Sequence, residues 1–243
     1  MKAGECGLSK LLILGAGGHG KVVADAAMST GNWEEIAFLD NNKELTNVLG
    51  IAVLGGFESY MDHREDYSAA FVAIGNNVTR MIWLDRLERA GFEIPSIIHP
   101  SSTISRFSQI ERGSVIMAGV VVNASARVGK GCILNTSSSI DHDSTLEHGV
   151  HISPGVNVSG TVHVKSCSWL GVGSKVLNNV TIGFNVIVAA GTIVIKDIPD
   201  NVMVAGVPAK IKKNLEMKSD VGKDFFIPTS YEWERNEIHT RSV

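Results

Sequence analysis

A six-residue repeat fills the second half of the chain. From Ile98 to Val194 every sixth residue is Ile, Leu or Val, seventeen times in succession. A second column lies four residues after each aliphatic and contains only Ser, Val, Ala, Cys or Thr from Ser102 to Thr192. A period of six fits neither an α-helix nor a hairpin, but it fits a solenoid whose coil has three short strands. The pattern predicts a triangular parallel β-helix with both columns pointing inward.

Apolar runs alternate with amphipathic segments in the first half. The runs LLILG, EIAFLD and AAFVAIG have the length and composition of buried strands. Between the first two, GKVVADAAMSTG places Val22, Val23, Ala26 and Ala27 on one helical face, and RMIWLDRLERAG predicts a second helix ending at Gly91. This alternation predicts a small Rossmann-like α/β domain with a parallel sheet.

The two patterns divide the chain into four segments. A leader (1–10) precedes the α/β domain (11–97), the β-helix occupies 98–209, and a tail (210–243) follows. The tail caps the solenoid, packs on a neighbouring subunit or is disordered, and the sequence does not choose between these. Its aromatic residues are Phe225, Phe226, Tyr231 and Trp233.

Composition and charge exclude several classes of protein. A net charge of −3 provides no basic field for nucleic acid or an anionic membrane. Cys6, Cys132 and Cys167 are odd in number and form no CxxC pair, which argues against a disulfide framework or zinc ribbon and suits a reducing compartment. The segments MKAGECGLSK and LLILGAGGHG lack the features of a signal peptide or membrane span. We therefore expect a cytoplasmic protein.

A glycine motif marks the first strand-to-helix turn. Gly15, Gly17 and Gly20 fit G-x-G-x-x-G, and Asp40 follows twenty residues after the last glycine. Taken alone, the glycine motif with Asp40 indicates a binding site for NAD. However, any diphosphate can bind the backbone amides at a helix N-terminus. A dinucleotide would need a second half-domain for its nicotinamide half, but the chain continues into the β-helix instead. We therefore favour a nucleotide-linked sugar, with His19 as an extra phosphate donor, over a turn that only packs the helix.

Six short motifs carry a family resemblance. GAGGHGKVV, FLDNNK, AIGNNVTR, IIHPSS, NTSSSIDHD and AGVPAK occur in this order over about residues 11 to 210. Through them the chain resembles bacterial nucleotide-aminosugar N-acetyltransferases and the related sialic acid O-acetyltransferases, which have a left-handed β-helix of hexapeptide repeats. The resemblance implies acetyl-CoA as co-substrate and a homotrimer with acetyl-CoA between neighbouring β-helices. The substrate contacts that it implies are Gly17, Gly18, His19, Asp40, Asn41, Gly75 and Asn135.

Three histidines within ten residues raise the question of a metal site. His142, His148 and His151 lie on different parts of an eighteen-residue coil, so they do not share a metal within one subunit. The chain also lacks the H-x4-H pair of hexapeptide-repeat carbonic anhydrases. We expect no metal, and we expect His148 and His163 on the solvated surface.

His142 is the candidate general base. Acetyl transfer to an amine or hydroxyl releases a proton, and imidazole is the natural acceptor near neutral pH. The resemblance implies that Asp143 orients its other ring nitrogen, with Asp141 as the alternative. Cys132 is expected in the core rather than as a nucleophile, and Cys167 at a turn without an adjacent base.

The same resemblance implies an acetyl-CoA site. His151, expected beside Trp169, contacts acetyl-CoA, and Val172 and Ala190 line the CoA groove with backbone groups. Three lysines meet the CoA phosphates or form a solvated basic turn: Lys210, Lys212 and Lys213.

The sequence predicts an acetyl-CoA-dependent N-acetyltransferase that modifies a nucleotide-linked amino sugar, of dideoxy type, by direct attack. Sialic acid O-acetylation is the first alternative, because a hydroxyl nucleophile can use the same base. A NAD-binding sensor with a structural β-helix is the alternative from another class. The nucleotide base, the sugar and the amino position are left open.

Overall fold

The computed structural model describes residues 9–216. Most of the predicted leader, Cys6, and the tail beyond Glu216 with its four aromatic residues lie outside the described residues.

The predicted α/β domain is confirmed. Its parallel sheet has the strand order β2-β1-β5. The elements in chain order are β1 (Ser9–Leu14), α1 (Gly18–Thr30), β2 (Trp33–Leu39), β3 (Asn47–Val48), β4 (Ile51–Ala52), a 3-10 helix (Phe57–His63), β5 (Ala69–Val72) and α2 (Asn77–Arg89). The three predicted apolar runs form the three parallel strands, so the carboxyl ends of β1 and β5 meet at one edge.

The predicted face of α1 is confirmed with one exception. Val23, Ala26 and Ala27 are buried, whereas Val22 is 43% exposed. Successive helical residues are about 100° apart, so two adjacent valines cannot both lie at the centre of one face. The helix ends at Gly31 in the left-handed region, with φ of 68°.

The predicted β-helix is confirmed as a triangular parallel solenoid. Its strands form sheets of six (β7-β10-β13-β16-β19-β22), five (β8-β11-β14-β17-β20) and eight (β6-β9-β12-β15-β18-β21-β23-β24). Strands in neighbouring coils pair eighteen residues apart, as Val121 does with Ser139. The strands are β6 (Ile97–Ile98), β7 (Thr103–Ile104), β8 (Gln109–Ile110), β9 (Val115–Ile116), β10 (Val121–Val122), β11 (Arg127–Val128), β12 (Ile133–Leu134), β13 (Ser139–Ile140), β14 (Thr145–Leu146), β15 (His151–Ile152), β16 (Asn157–Val158), β17 (His163–Val164), β18 (Trp169–Leu170), β19 (Lys175–Val176), β20 (Thr181–Ile182), β21 (Ile187–Val188), β22 (Ile193–Val194), β23 (Val202–Ala205) and β24 (Lys210–Asn214).

Both predicted columns fill the interior of the solenoid. The aliphatic column is buried from Ile116 to Val194, and Cys132 is fully buried in the small column. Ile98, 37% exposed, and Ile104 and Ile110, both half-buried, depart from the pattern. These residues belong to the first coil, which has no coil beneath it to cover them.

The corners of the solenoid use left-handed backbone. Every residue three positions after an aliphatic has positive φ from Gly113 to Gly191, and seven of these fourteen residues are not glycine. Asp143 is one of the seven, with φ of 58°. This backbone conformation lets the chain turn sharply between two-residue strands.

Helix α2 packs on one corner of the solenoid. Gly113, Gly131 and Gly149 lie eighteen residues apart there, and a Cβ on Gly131 would stand 2.8 Å from the side chains of Leu84 and Met81. The absence of side chains at this corner lets α2 approach the backbone. The corner fixes the α/β domain against the eight-stranded sheet.

Within residues 9–216, no helix combines the length and apolar character required to cross a membrane.

Candidate active site

His142 and Asp143 form a hydrogen-bonded pair at a corner of the solenoid. His142 Nδ1 lies 2.8 Å from Asp143 Oδ2, and both side chains are 59% exposed. The hydrogen bond to Asp143 raises the pKa of His142 above its ordinary value. This geometry leaves Nε2 as the ring nitrogen that faces away from the carboxylate, as a base oriented by an acid requires.

Asp141 supports the backbone at this corner rather than the imidazole ring. Its Oδ1 accepts hydrogen bonds from the backbone N–H of His142 at 2.8 Å and from Asn123 Nδ2 at 2.9 Å. The first of these lowers the pKa of Asp141. Of the two carboxylates considered from the sequence, Asp143 is therefore the one in contact with the ring.

Gly160 lies against the imidazole of His142 one coil further on. A Cβ at Gly160 would stand 2.6 Å from both Cε1 and Nε2 of the ring. The ring of His142 therefore occupies the space that a side chain at position 160 would fill.

His151 and His19 are partly buried where the two domains meet. Burial, with the charge of Arg80 as a second cause, lowers the pKa of His151 to about 3 and that of His19 to about 4. The Nε2 atoms of both rings are buried and have no hydrogen-bond partner among residues 9–216. His151 stacks on Trp169 with 5.7 Å between ring centroids, as the column spacing predicted. Both rings are therefore uncharged near neutral pH.

A cavity of about 380 Å³ opens beside His151. The segment before and at the start of α2 forms one wall, and the eight-stranded sheet forms the other. Its lining is mainly apolar, and a buried polar atom without a partner at such a wall is suited to hydrogen bonding with a ligand. The lining residues are Gly75, Asn76, Asn77, Val78, His151, Cys167, Trp169, Asn185 and Ile187.

The glycine turn divides into packed and open positions. Gly15, at φ of 109°, and Gly20 have no room for a side chain, because a Cβ on Gly20 would stand 1.9 Å from the Gly15 carbonyl oxygen. A Cβ on Gly17, Gly18 or Gly75 would meet no atom within 4 Å. Gly17 and Gly18 lie at the N-terminus of α1, where backbone amides favour an anion, and Gly75 lies just before α2.

Asp40 has an intramolecular role in this turn. Its Oδ2 accepts from the backbone N–H of Ala16 at 2.7 Å, and its Oδ1 accepts from that of Asn42 at 2.8 Å. Asn41 Oδ1 accepts from the backbone N–H of Phe57 at 2.9 Å. Because both Asp40 oxygens bind backbone amides, the carboxylate has less capacity for the ribose hydroxyls of NAD.

The remaining site residues of the sequence prediction do not gather around His142 in one chain. Asn135 lies at the corner after β12, where its Oδ1 accepts from Thr136 N at 2.9 Å. Val172, 56% exposed, and Ala190 lie one coil apart on the outer surface. The lysines Lys210, Lys212 and Lys213 lie on the exposed strand β24.

His148 and His163 have structural contacts. His148 Nδ1 accepts from the backbone N–H of Lys130 at 3.0 Å and lies 3.6 Å from Glu111, with only 22% of its side chain exposed. His163 Nε2 lies 2.7 Å from Glu147. No set of three or more His, Cys, Asp and Glu side chains within the described part of the chain is arranged to hold a metal ion.

Sequence reasoning missed Arg80, the largest of the fully buried side chains of the structure. An arginine in an amphipathic helix ordinarily faces solvent, so its sequence position gave no signal. Only the glycine spacing at positions 113, 131 and 149 indicates a surface that a helix can approach closely.

Comparisons with known proteins define the class. The PglD N-terminal domain family model matches residues 10–87. The acetyltransferase domain of PglB from Neisseria gonorrhoeae, solved with acetyl coenzyme A, is 39% identical, with a TM-score of 0.81 over 85% of this chain and 100% of that chain. PerB from Caulobacter crescentus, solved with CoA and GDP-perosamine, is 38% identical, with a TM-score of 0.81 over 85% of this chain and 98% of that one.

Matches to curated proteins are shorter. A putative acetyltransferase of Saccharomyces cerevisiae is 39% identical over 57 residues, and the galactoside O-acetyltransferase of Lactococcus lactis is 43% identical over 53. These segments cover 24% and 22% of this chain and only 29% and 26% of the relatives. They are too short to compare whole proteins.

Together the fold and these matches define an acyltransferase of the hexapeptide-repeat class with an added N-terminal α/β domain. Within this class, the chain belongs to the nucleotide-aminosugar N-acetyltransferase family.

Proposed function

We propose that this protein transfers an acetyl group from acetyl-CoA to the amino group of a nucleotide-linked amino sugar. The observation that carries the proposal is the His142–Asp143 pair, 2.8 Å apart, in a chain that is similar over most of its length to acetyltransferases solved with acetyl-CoA or CoA. The dideoxy character of the sugar is part of the proposal.

In this proposal His142 is the general base. Nε2 receives the proton of the attacking amine, while Asp143 holds Nδ1–H and stabilises the charged ring. Acetyl-CoA supplies the acetyl group as a thioester: the C–N bond to the amine forms as the C–S bond breaks, and the departing CoA thiolate takes up the proton from Nε2. Direct attack needs no protein nucleophile, in agreement with a burial-raised pKa of about 12 for the Cys132 thiol and about 11 for the Cys167 thiol.

The substrate site lies in the α/β domain. The open glycines Gly17 and Gly18 offer backbone amides to a diphosphate, and His19 adds a neutral ring whose Nε2 has no partner within residues 9–216. Asp40 holds the turn through Ala16, and Asn41 and Gly75 border the same edge. We also assign Asn135 to the sugar, at a corner of the solenoid.

The acetyl-CoA site lies along the β-helix. The residues fit such a ligand, because His151 presents an unpartnered Nε2 at an apolar cavity and Val172 and Ala190 expose a surface one coil apart. His151, Val172 and Ala190 hold acetyl-CoA in this proposal, and no metal is required.

The placement of the two histidines favours an assembly of more than one subunit, and we propose the homotrimer that the family resemblance implies. His142 lies in the turn between β13 and β14, which joins the six-stranded and five-stranded sheets, whereas His151 belongs to the eight-stranded sheet on the opposite side. A site that uses both residues therefore requires two subunits. We infer that acetyl-CoA binds between neighbouring β-helices. The free thiols Cys132 and Cys167 suit a cytoplasmic enzyme.

The test is a turnover screen with acetyl-CoA and a panel of nucleotide-linked amino sugars that includes GDP-perosamine, followed by mass analysis of the products. We expect a gain of one acetyl group on nitrogen. Sialic acids belong in the same screen, because O-acetylation of a sialic acid with no reaction on any amino sugar would replace this proposal. Tight NAD binding without acetyl-CoA binding would indicate the sensor alternative.

A further inference from the structure

Arg80 is a buried cation without a counter-ion in the described structure. Its side chain is 1% exposed, and no ion pair within residues 9–216 includes it. Burial lowers its pKa to about 10, which still leaves it charged at neutral pH. A buried charge is costly unless all its donors have acceptors, so the surroundings of Arg80 require an explanation.

Neutral oxygens surround the guanidinium group. Nε donates to Gly131 O at 2.7 Å, and Nη2 donates to Gly149 O at 2.9 Å and to Asn77 Oδ1 at 2.8 Å. Nη1 donates to Ile74 O at 3.0 Å and Gly75 O at 3.2 Å. Arg80 thus binds both domains.

The acceptors on the solenoid lie in a single column. Gly131, Gly149 and Cys167 are the left-handed corner residues of three successive coils. Arg80 binds the first two carbonyls, and Asn77 Nδ2 donates to Cys167 O at 2.8 Å. None of the three accepts a backbone hydrogen bond from residues 9–216. Arg80 and Asn77 therefore satisfy carbonyls that the backbone ladder leaves open.

The acceptors on the α/β domain belong to the cavity wall. Gly75 and Asn77 line the cavity beside His151. His151 Nε2 is buried at the same cavity and has no hydrogen-bond partner among residues 9–216. The contacts of Arg80 therefore tie the solenoid to the segment that lines this cavity together with His151.

We propose that Arg80 is a positioning residue, which holds the segment from Ile74 to Asn77 in place as a wall of the acetyl-CoA cavity beside His151. This inference rests on the proposed function, because it assigns His151 to the acetyl-CoA site.

The experiment compares Arg80→Met and Arg80→Lys with the parent protein. Arg89→Met is the matched control, since Arg89 lies on the same helix with 74% of its side chain exposed. Calorimetry gives Kd for acetyl-CoA, and steady-state assays with an accepted amino sugar give kcat and KM. Circular dichroism and thermal unfolding identify folded variants.

We expect Arg80→Met to raise Kd and KM for acetyl-CoA about tenfold, as loss of a charge-assisted hydrogen-bond network at the site predicts. The kcat at saturating acetyl-CoA changes less than about threefold, because Arg80 does not contact His142. Arg80→Lys keeps the charge but not the planar fork, so it recovers only part of the affinity. Arg89→Met binds like the parent.

A folded Arg80→Met variant whose Kd is unchanged overturns the proposal, as does one that loses kcat while Kd stays constant. If Arg80→Met does not fold, Arg80→Lys decides, because parental affinity in that variant shows that the fork is not needed. Failure of the proposed function has a different signature, since the parent protein itself would then bind no acetyl-CoA.

Discussion

Two histidines nine residues apart occupy opposite environments. His142 lies in an exposed turn, where its hydrogen bond to Asp143 raises its pKa. His151 begins a strand covered by the α/β domain, where burial lowers its pKa to about 3. The same side chain is therefore a titrating base at one position and an uncharged hydrogen-bonding group at the other. The difference arises from the docking of α2, which covers one face of the solenoid and leaves the corner of His142 open.

The largest expected effect comes from removing the exposed member of this pair. His142→Ala lowers kcat by about two to four orders of magnitude, the usual contribution of a general base. Kd for acetyl-CoA changes little, because in the proposed site His151, Val172 and Ala190 hold acetyl-CoA and His142 does not. Steady-state kinetics and calorimetry measure the two quantities.

His163→Ala is the matched control for this variant, since His163 is also an exposed histidine paired with a carboxylate, that of Glu147. It retains parental kcat. Parental turnover by His142→Ala would remove the assignment of the base and, with it, the contrast between the two histidines.

The next variant alters the environment of the base rather than the base itself. Asp143→Asn removes the carboxylate that raises the pKa of His142. The active base is the neutral ring, so the rate rises with pH through that pKa. The substitution therefore moves the midpoint of the pH–rate profile to lower pH, and kcat falls about tenfold or more because the tautomer and the charged ring lose their partner. Rate measurements from pH 5 to 9 give both the midpoint of the profile and the value of kcat.

Asp141→Asn is the control, because Asp141 binds the backbone N–H of His142 and not its ring. It shifts the midpoint less than Asp143→Asn does. An unchanged midpoint in Asp143→Asn would show that the contact between the two side chains does not control the titration.

The fold and the His142–Asp143 contact can be predicted from the sequence, whereas the surroundings of His151 and Arg80 cannot. Each coil and each corner depends on residues within eighteen positions, so the repeat predicted the solenoid and its core. Asp143 is next to His142 in the sequence, and their contact could be expected. The burial of His151 could not, because it depends on a helix about seventy residues earlier. Arg80 was missed for a related reason: its partners are mainly backbone carbonyls, whose availability no side-chain pattern reports.

A smaller effect is expected at the buried member of the pair. His151→Ala raises KM for acetyl-CoA about fivefold to tenfold, the effect of one hydrogen bond of about 1 kcal/mol and lost packing. In the parent protein this KM does not vary with protonation of His151 between pH 5 and 8, since a pKa of about 3 leaves the ring neutral throughout. A KM that rises steeply below pH 6.5 would show that His151 titrates like an exposed histidine.

The smallest effect is expected from Gly160→Ala, which places a methyl group in the space that the imidazole ring of His142 occupies. A Cβ at Gly160 would stand 2.6 Å from the ring, and an exposed ring can move away at little cost to stability. Gly160→Ala therefore leaves Tm nearly unchanged but lowers kcat about threefold, because the base shifts from its productive position. The control is the double variant His142→Ala/Gly160→Ala. If Gly160 acts through the imidazole, the second substitution removes no further activity, whereas additive losses would mean that Gly160 contributes independently of the base.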